Sequence, residues 1–405
     1  MGQKELENFF ADFMTKAPLF TNKKVLQSNY SPDSIMHRDE QIKQIAQVLS
    51  PCIRNEKPSN MFIYGKTGTG KTISIRYTTS QLASLAEKNN VQLTVIYLNC
   101  KLKKVADTEY RVIAQLAREM KKDIPATGLP TEEVYNIFTK SINQKWGIFL
   151  IILDEIDQLI EKVGDEILYT LTRMNSELEN AQLSLVGISN DLMFADNLDP
   201  RVKSSLSEEY LVFPPYNALQ IQDILRERSN KAFKKEVVKS GVLEKCAALS
   251  AREHGDVRRA IELLRVAGEI AERKGSKHLE IVHLDEAEDK IEKDRVIEVI
   301  TTQPKQSQAA LYSILNLINK KKDHQIITGD VYEVYKHVCK QTGLPPLTQR
   351  RISEIIAELD MLGIICSKVI SKGRYGRTRE ITVEVPESTI SKINTLLTES
   401  LDLKP

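Results

Sequence analysis

The sequence predicts an α/β protein in three parts: a parallel sheet covered by helices, a small all-helical region, and three helices followed by a basic hairpin. Three observations carry this. Strand-length apolar runs alternate with helical periodicity up to about residue 213. The strands stop after Phe213-Pro214-Pro215-Tyr216, and the pattern stays helical to about residue 294. Beyond Pro304, three helical segments precede two short alternating strands joined by a turn with two glycines.

Residues 1 to about 20 carry no strong pattern. A helix is expected from near His37 to Leu49, where Ile42, Ile45, Ala46 and Leu49 recur at helical spacing. Pro51 and Pro58 punctuate the stretch after it. Then come a strand at 60–64, a glycine-rich loop, a helix at 71–88 and a strand at 93–99. Tyr110, Ile113, Leu116, Ala117 and Met120 share one face of a helix expected over 105–121. Pro125, Gly128 and Pro130 break it. A helix at 131–144, a strand at 148–153, a helix at 164–178 and a strand at 183–188 complete the alternation. The helical region reads 218–233, 239–254, 256–274 and 283–293. The last part reads 307–320, 330–342 and 348–362, with Asp330 and Thr348 as N-caps and Gly343 and Gly363 as C-caps. Its hairpin pairs 364–370 with 378–385, where Ile381, Val383 and Val385 alternate. Domain boundaries are expected after 214 and 298, giving 1–214, 215–298 and 299–405.

Composition narrows the function classes. Hydrophobic residues make 41% and charged residues 28% of the 405, a globular mix. The longest apolar run, 146–153, is far short of the roughly 18 residues a membrane span needs, so no membrane partner is expected. The start lacks an apolar signal core, and Leu6 stands where myristoylation calls for Ser or Thr. A cytoplasmic protein is expected. Its five cysteines lie far apart without a C-x-x-C pair, as reduced core thiols do. A net charge of +2 announces no nucleic-acid partner, so that case rests on local clustering.

Gly65-Lys66-Thr67-Gly68-Thr69-Gly70-Lys71-Thr72 fits G-x-x-x-x-G-K-[ST] in full, between an apolar strand and a helix. The glycines let backbone N–H groups converge on phosphate oxygens, and the positive end of the following helix faces the same anion. Lys71 is expected to reach the β- and γ-phosphates of ATP or ADP, and Thr72 to ligate Mg²⁺. Asp154 and Glu155 end the apolar strand at 149–153, where a parallel sheet opens its ligand crevice. Asp154 is the Mg²⁺-organising carboxylate and Glu155 the candidate general base. Asn190 ends the next strand and can hold the attacking water; a turn asparagine is the alternative. Arg201 and Arg258 can each neutralise charge on a transferred phosphoryl group, or be solvated surface residues.

Three helices and a basic hairpin make a winged-helix outline. Gln349, Arg350 and Arg351 open the third helix, the end of a recognition helix that meets base edges. From Ser367 to Arg379 there are five basic residues and no acidic one. Lys372, Gly373, Arg374, Tyr375 and Arg377 form the tip and its exit, suited to tracking phosphates or a minor groove. The alternative is a solvated basic turn on a protein-binding domain.

These segments, with YSPDSIMHR (30–38), PSNMFIYGKTGTGKT (58–72), ILDEIDQL (152–159), GISND (187–191), LDPRVKSSL (198–206), FPPY (213–216) and GDVRRA (255–260), give the chain a family resemblance. It resembles the archaeal replication initiators that combine features of the largest origin-recognition-complex subunit and the helicase-loading cell-division-cycle protein. The resemblance spans about 28 to 385. It implies an AAA+ P-loop domain, a helical lid and a winged helix. It implies binding of double-stranded origin DNA, ATP as a conformational switch with slow hydrolysis, and association with the nucleoid. The implied partners are the replicative helicase and other copies or paralogues of the initiator. Ile35, Met36 and Arg38 would frame adenine, and Tyr216 would join the nucleotide site. Asn190 would be sensor 1 and Arg258 sensor 2. Arg201 would act as a finger on a neighbouring subunit's nucleotide. The helix at 105–121 would match, by position, an initiator-specific helix that touches DNA. The competing readings are an ATP-driven DNA motor of the branch-migration type, with a comparable AAA+ plus winged-helix layout, and an ATP-gated winged-helix transcription regulator.

Overall fold

The computed structural model describes residues 18–27, 30–101, 107–125, 128–194, 198–206, 208–320, 326–371, 377–383 and 387–403. The chain divides into two compact units, between Leu284 and Asp285.

The first unit is built on five parallel strands: β1 (Asn60–Tyr64), β2 (Leu93–Asn99), β3 (Gly147–Asp154), β4 (Ala181–Ser189) and β5 (Glu208–Val212), in the order β2-β3-β4-β1-β5. Period-2 alternation gives each central strand two apolar faces. Phe62, Tyr64, Phe149, Ile151, Leu153, Leu183 and Leu185 face one core; Met61, Ile63, Leu150, Ile152, Val186 and Ile188 face the other. The second core is closed by α1 (Asp39–Leu49) and α2 (Lys71–Lys88), through Ile45, Leu49 and Ile75. The first is closed by α3 (Glu109–Glu119), α4 (Thr131–Asn143), α5 (Ile156–Val163), α6 (Glu166–Arg173) and α7 (Pro200–Leu206).

Two expectations in this sheet domain change. The helix expected at 164–178 is present as α6 with a 3-10 turn at Met174–Ser176 after it, but α5, which Gly164 at φ 91° separates from it, was not anticipated. β5 was not anticipated. Its sequence, Glu208-Glu209-Tyr210-Leu211-Val212, leaves Tyr210 and Val212 half exposed. Pairing with β1, from Asn60 opposite Glu208 to Tyr64 opposite Val212, makes it an edge strand.

Three helices, α8 (Ala218–Ala232), α9 (Val242–Arg252) and α10 (Val257–Lys274), come after the hinge at Phe213–Tyr216. Asn217 and Gln220 form a capping box at α8, and Asp256 caps α10 through the amides of Arg258 and Arg259. The segment from Leu19 is held on these helices. Phe20 stacks on Phe233 at 4.6 Å, Thr21 N donates to Ala232 O, and Leu19 N donates to Glu272 Oε1. No local periodicity signals that attachment.

α11 (Ile281–Thr302), which runs longer than expected, leads into the second unit. That unit contains α12 (Lys305–Lys320), α13 (Thr328–Thr342), α14 (Gln349–Met361), α15 (Glu387–Ser400) and an antiparallel sheet β6 (Ile326–Ile327), β8 (Arg377–Thr382), β7 (Cys366–Ser371). Thr348 caps α14 as expected, and Gly343 ends α13 at φ 71°. Asp330 is inside the first turn of α13; Ile327 holds the cap position. β8 ends at Thr382, short of the expected 385. α15 and β6 were not anticipated. Ile393 and Leu397, with Leu401 just past its end, bury α15 against the core of Leu311, Ile314, Ile352 and Ile356, and Ile326 pairs with Ile381. Among the described residues no helix is long and apolar enough to cross a membrane.

Candidate functional site

The loop Gly65–Gly70 links the end of β1 to the first residue of α2, so Lys71 and Thr72 sit on a helix N-terminus. Lys71 is buried. Its ammonium donates to Gly65 O (2.6 Å), Lys66 O (2.8 Å) and Asn190 Oδ1 (2.9 Å), which uses all three hydrogens. Burial pushes its pKa down to about 8; Asp154 opposes this and the charge of Arg258 adds to it. Thr69 is fully buried and its hydroxyl donates to Lys66 O, whereas Lys66 and Thr67 are exposed.

Parallel register brings the acids to the same place. Asn99 lies opposite Asp154, and Asp154 opposite Ile188, two residues before Asn190. Asp154 is buried, and its Oδ2 accepts from Thr72 Oγ1 at 2.9 Å. The same oxygen accepts from Tyr97 OH, whose pKa is pushed up to about 12 by burial and by this bond. Tyr97 carries Arg76 over its ring at 3.8 Å. Sequence reading missed Tyr97 because only strand pairing brings β2 beside Asp154. Glu155 comes next in left-handed conformation (φ 56°), a backbone cost of about 1–3 kcal/mol that tends to gather at functional sites. Its Oε2 is 3.7 Å from Lys101 Nζ.

A cavity of about 990 Å³ extends from this loop to the helices after the hinge. Ile35, Met36, Gly68, Gly70, Thr72, Tyr216 and Arg258 line it, as do Ile224, Val257 and Ile261, which were not foreseen. Val257 and Ile261, one helical turn apart, flank Arg258 on α10. The helices also grip the loop: Lys66 Nζ is 3.2 Å from His254 Nδ1, and a Cβ on Gly68 (φ 76°) would come within 1.8 Å of Asp256 Oδ1. Gly68 is therefore required twice, by its backbone and by this approach.

Lys71, Asp154, Glu155, Asn190 and Arg38 are not among the residues lining the cavity; the first four gather beside Thr72, whereas the Arg38 guanidinium turns to main-chain carbonyls of Thr69 and Pro214 and stacks on Tyr216 at 3.6 Å. Arg201 is on the exposed surface, its Nε 3.1 Å from Asp199 Oδ1. The helix expected to touch DNA is α3, which buries Val112, Ile113, Ala114, Leu116 and Ala117. Its arginines are engaged, Arg111 with Asp107 and Arg118 with the carbonyls of Ile124 and Pro125.

In the second unit, Gln349, Arg350 and Arg351 are exposed at the start of α14. Sequence reading missed their neighbours: Glu354 lies 2.9 Å from Arg351 and 3.5 Å from Arg350, and Glu358 lies 3.2 Å from Arg351. These pairs hold Glu354 below the usual carboxylate range and Arg351 above its usual value. β7 and β8 pair from Cys366 opposite Thr382 to Ser371 opposite Arg377. Lys372, Gly373, Arg374 and Tyr375 lie outside the described residues, and Arg377 is known here by its backbone position in β8.

A five-stranded parallel sheet, a glycine loop before a helix, a helical lid and a winged-helix unit define an AAA+ protein with a nucleotide-binding fold. Residues 54–192 match the AAA domain family, 222–289 the Cdc6 AAA+ ATPase-type lid domain, and 298–393 the CDC6 C-terminal winged helix domain. The chain is 49% identical to an ORC1-type DNA replication protein of Pyrococcus furiosus, over 100% of this chain and 95% of that one. It is 46% identical to ORC1-type DNA replication protein 1 of Methanosarcina mazei, over 99% and 96%. The Aeropyrum pernix ORC1 protein, solved in complex with DNA, matches with a TM-score of 0.82 and 44% identity over 95% of this chain and 98% of that one. The chain belongs to the ORC1-type DNA replication protein family.

Proposed function

We propose that this protein is an ATP-dependent initiator of DNA replication. It binds double-stranded origin DNA, uses ATP as a conformational switch with slow hydrolysis, and helps recruit or load the replicative helicase with other copies or paralogues. The observation that carries this is one cavity that reaches Thr72, itself bonded to buried Asp154 and next to buried Lys71, with Ile35, Met36, Ile224, Val257 and Ile261 among its walls and Arg258 on its lid side. The relatives' name, ORC1-type DNA replication protein, and the DNA in the Aeropyrum pernix complex support the replication half.

In this reading the amides of Gly65 to Thr72 hold the phosphates with the Lys71 ammonium, which exchanges one of its three bonds to protein oxygens for a phosphate oxygen, and Ile35, Met36 and Tyr216 hold adenine. Thr72 and Asp154 fit a Mg²⁺ ion, being a hydroxyl and a carboxylate 2.9 Å apart. The ion, when bound, offsets phosphate charge. Glu155 takes a proton from water, and Asn190, already bonded to Lys71, orients that water. Arg258 reports the γ-phosphate to the lid. Arg201, paired with Asp199 on the surface, acts on a neighbouring copy, which keeps a lone subunit slow. Gln349, Arg350 and Arg351 meet base edges, and Lys372, Gly373, Arg374, Tyr375 and Arg377 track the DNA backbone. We place the sheet domain at 1–214, the lid at 215–298 and the DNA-binding domain at 299–405, in a nucleoid-associated cytoplasmic protein.

The test is equilibrium binding of ATP with Mg²⁺, then footprinting on chromosomal DNA with and without ATP. Origin protection that sharpens with ATP is expected. Protection confined to promoters would make the protein a transcription regulator, and failure to bind ATP would remove the switch.

A further inference from the structure

We propose that Arg38 is a positioning residue which, with Tyr216, couples the phosphate-binding loop to the hinge of the lid; this rests on the nucleotide reading above. Arg38 is only 2% exposed, yet its hydrogen bonds to described residues all end on main-chain carbonyls. Nε donates to Thr69 O (2.9 Å), inside the loop. One terminal nitrogen donates to Pro214 O (2.6 Å), in the hinge, and the other to His37 O (3.1 Å). A planar fork with donors in fixed directions can tie separate carbonyls in this way.

Tyr216 continues the connection. Its ring lies 3.6 Å from the Arg38 guanidinium. A Cβ at Gly70 would come within 2.8 Å of the Tyr216 hydroxyl, so this ring packs against the last glycine of the loop. A Cβ at Gly255 would come within 2.5 Å of Tyr216 O, so its main chain packs against the turn that opens α10. Arg258 is three residues on. Loop, hinge and lid thus meet around one guanidinium and one ring, with little room to shift separately. A movement of Thr69 O as phosphate enters is transmitted to Pro214 and Tyr216 before it reaches Arg258.

The test uses the full chain, with ADP and Mg²⁺ as probe and two readouts: affinity, and amide hydrogen exchange of 213–216 and α10 with and without nucleotide. Arg38→Lys keeps the charge and removes the stack and the fork. It is expected to bind ADP within about tenfold of the parent, while the nucleotide-induced protection of hinge and α10 falls by more than half. Full protection at parent affinity overturns the proposal. So does loss of binding as complete as in Lys71→Ala, because Arg38 would then be a ligand contact. A parent that binds ADP without protecting the hinge also overturns it. If Arg38→Lys does not fold, Tyr216→Leu decides, compared with the parent at ADP concentrations that saturate each protein because Tyr216 also faces the nucleotide: full protection at equal occupancy sinks the coupling. A parent that binds no ADP defeats the nucleotide reading itself, which is a separate failure.

Discussion

Lys71 is 6% exposed, and its ammonium has three oxygens within 2.9 Å; the Arg350 side chain is 91% exposed and meets Glu354 at 3.5 Å. Both cations stand at the start of a helix, and both are expected to bind phosphate-bearing ligands. The first is desolvated and held in position before a ligand arrives, so its geometry sets specificity. The second is solvated and partly offset by its own helix, so its contribution varies with salt and with neighbouring carboxylates. A nucleotide site needs a fixed cradle for one small anion. A DNA surface must settle on a long polyanion and release it.

The sharpest way to break this contrast is at Lys71. Lys71→Ala is expected to weaken ATP binding more than about 100-fold, on the order of 3 kcal/mol, with the melting temperature near that of the parent. Titration with a fluorescent nucleotide checks it, and near-parent affinity would mean the buried ammonium is only structural.

On the exposed side, Arg350→Ala with Arg351→Ala is expected to weaken binding to origin DNA roughly tenfold and to relax the preference for origin over random sequence. The reciprocal change sharpens the point. Glu354→Gln releases both arginines and is expected to raise DNA affinity about two- to fivefold. Binding isotherms on origin and random DNA at several salt concentrations read both. A Glu354→Gln protein that binds more weakly would show that this carboxylate orients the arginines and does not compete for them.

The smallest effect is a proton. The folded Lys71 pKa, about 8, lies below the usual 10.5, so between these values the unfolded chain binds more protons. The free protein therefore gains stability as pH rises through that window. A bound polyphosphate favours the charged ammonium, so ATP binding above pH 8 takes up a fraction of a proton and weakens as pH climbs. Calorimetry at one pH in two buffers of different ionisation enthalpy measures this uptake, and a value of zero would mean that Lys71 is already fully charged.

Legibility tracked the range of the interactions. The P-loop, the helix after it and strands β1 and β2 could be read to the residue, because apolar alternation and glycine placement are local. β5 could not, since an edge strand with two glutamates forms only when β1 offers its edge. α15 was missed because its amphipathic pattern is short and its burial depends on a core made by α11 to α14, β6 and β8. For Arg38, nearness to the nucleotide segment was legible in the sequence, and the direction of its guanidinium, toward main-chain carbonyls, was not.

By itself the sequence determined the class of chemistry, since a complete phosphate-loop motif and a carboxylate at a strand end need only their own neighbours to be recognised. The tertiary structure decided which groups meet. Strand register set Tyr97 and Asn190 around Asp154 and Lys71, the lid set Asp256 against Gly68, and the turn of α14 set Glu354 beside its arginines. Those contacts depend on distances between segments far apart in the chain or on side-chain directions, and neither is contained in composition or periodicity.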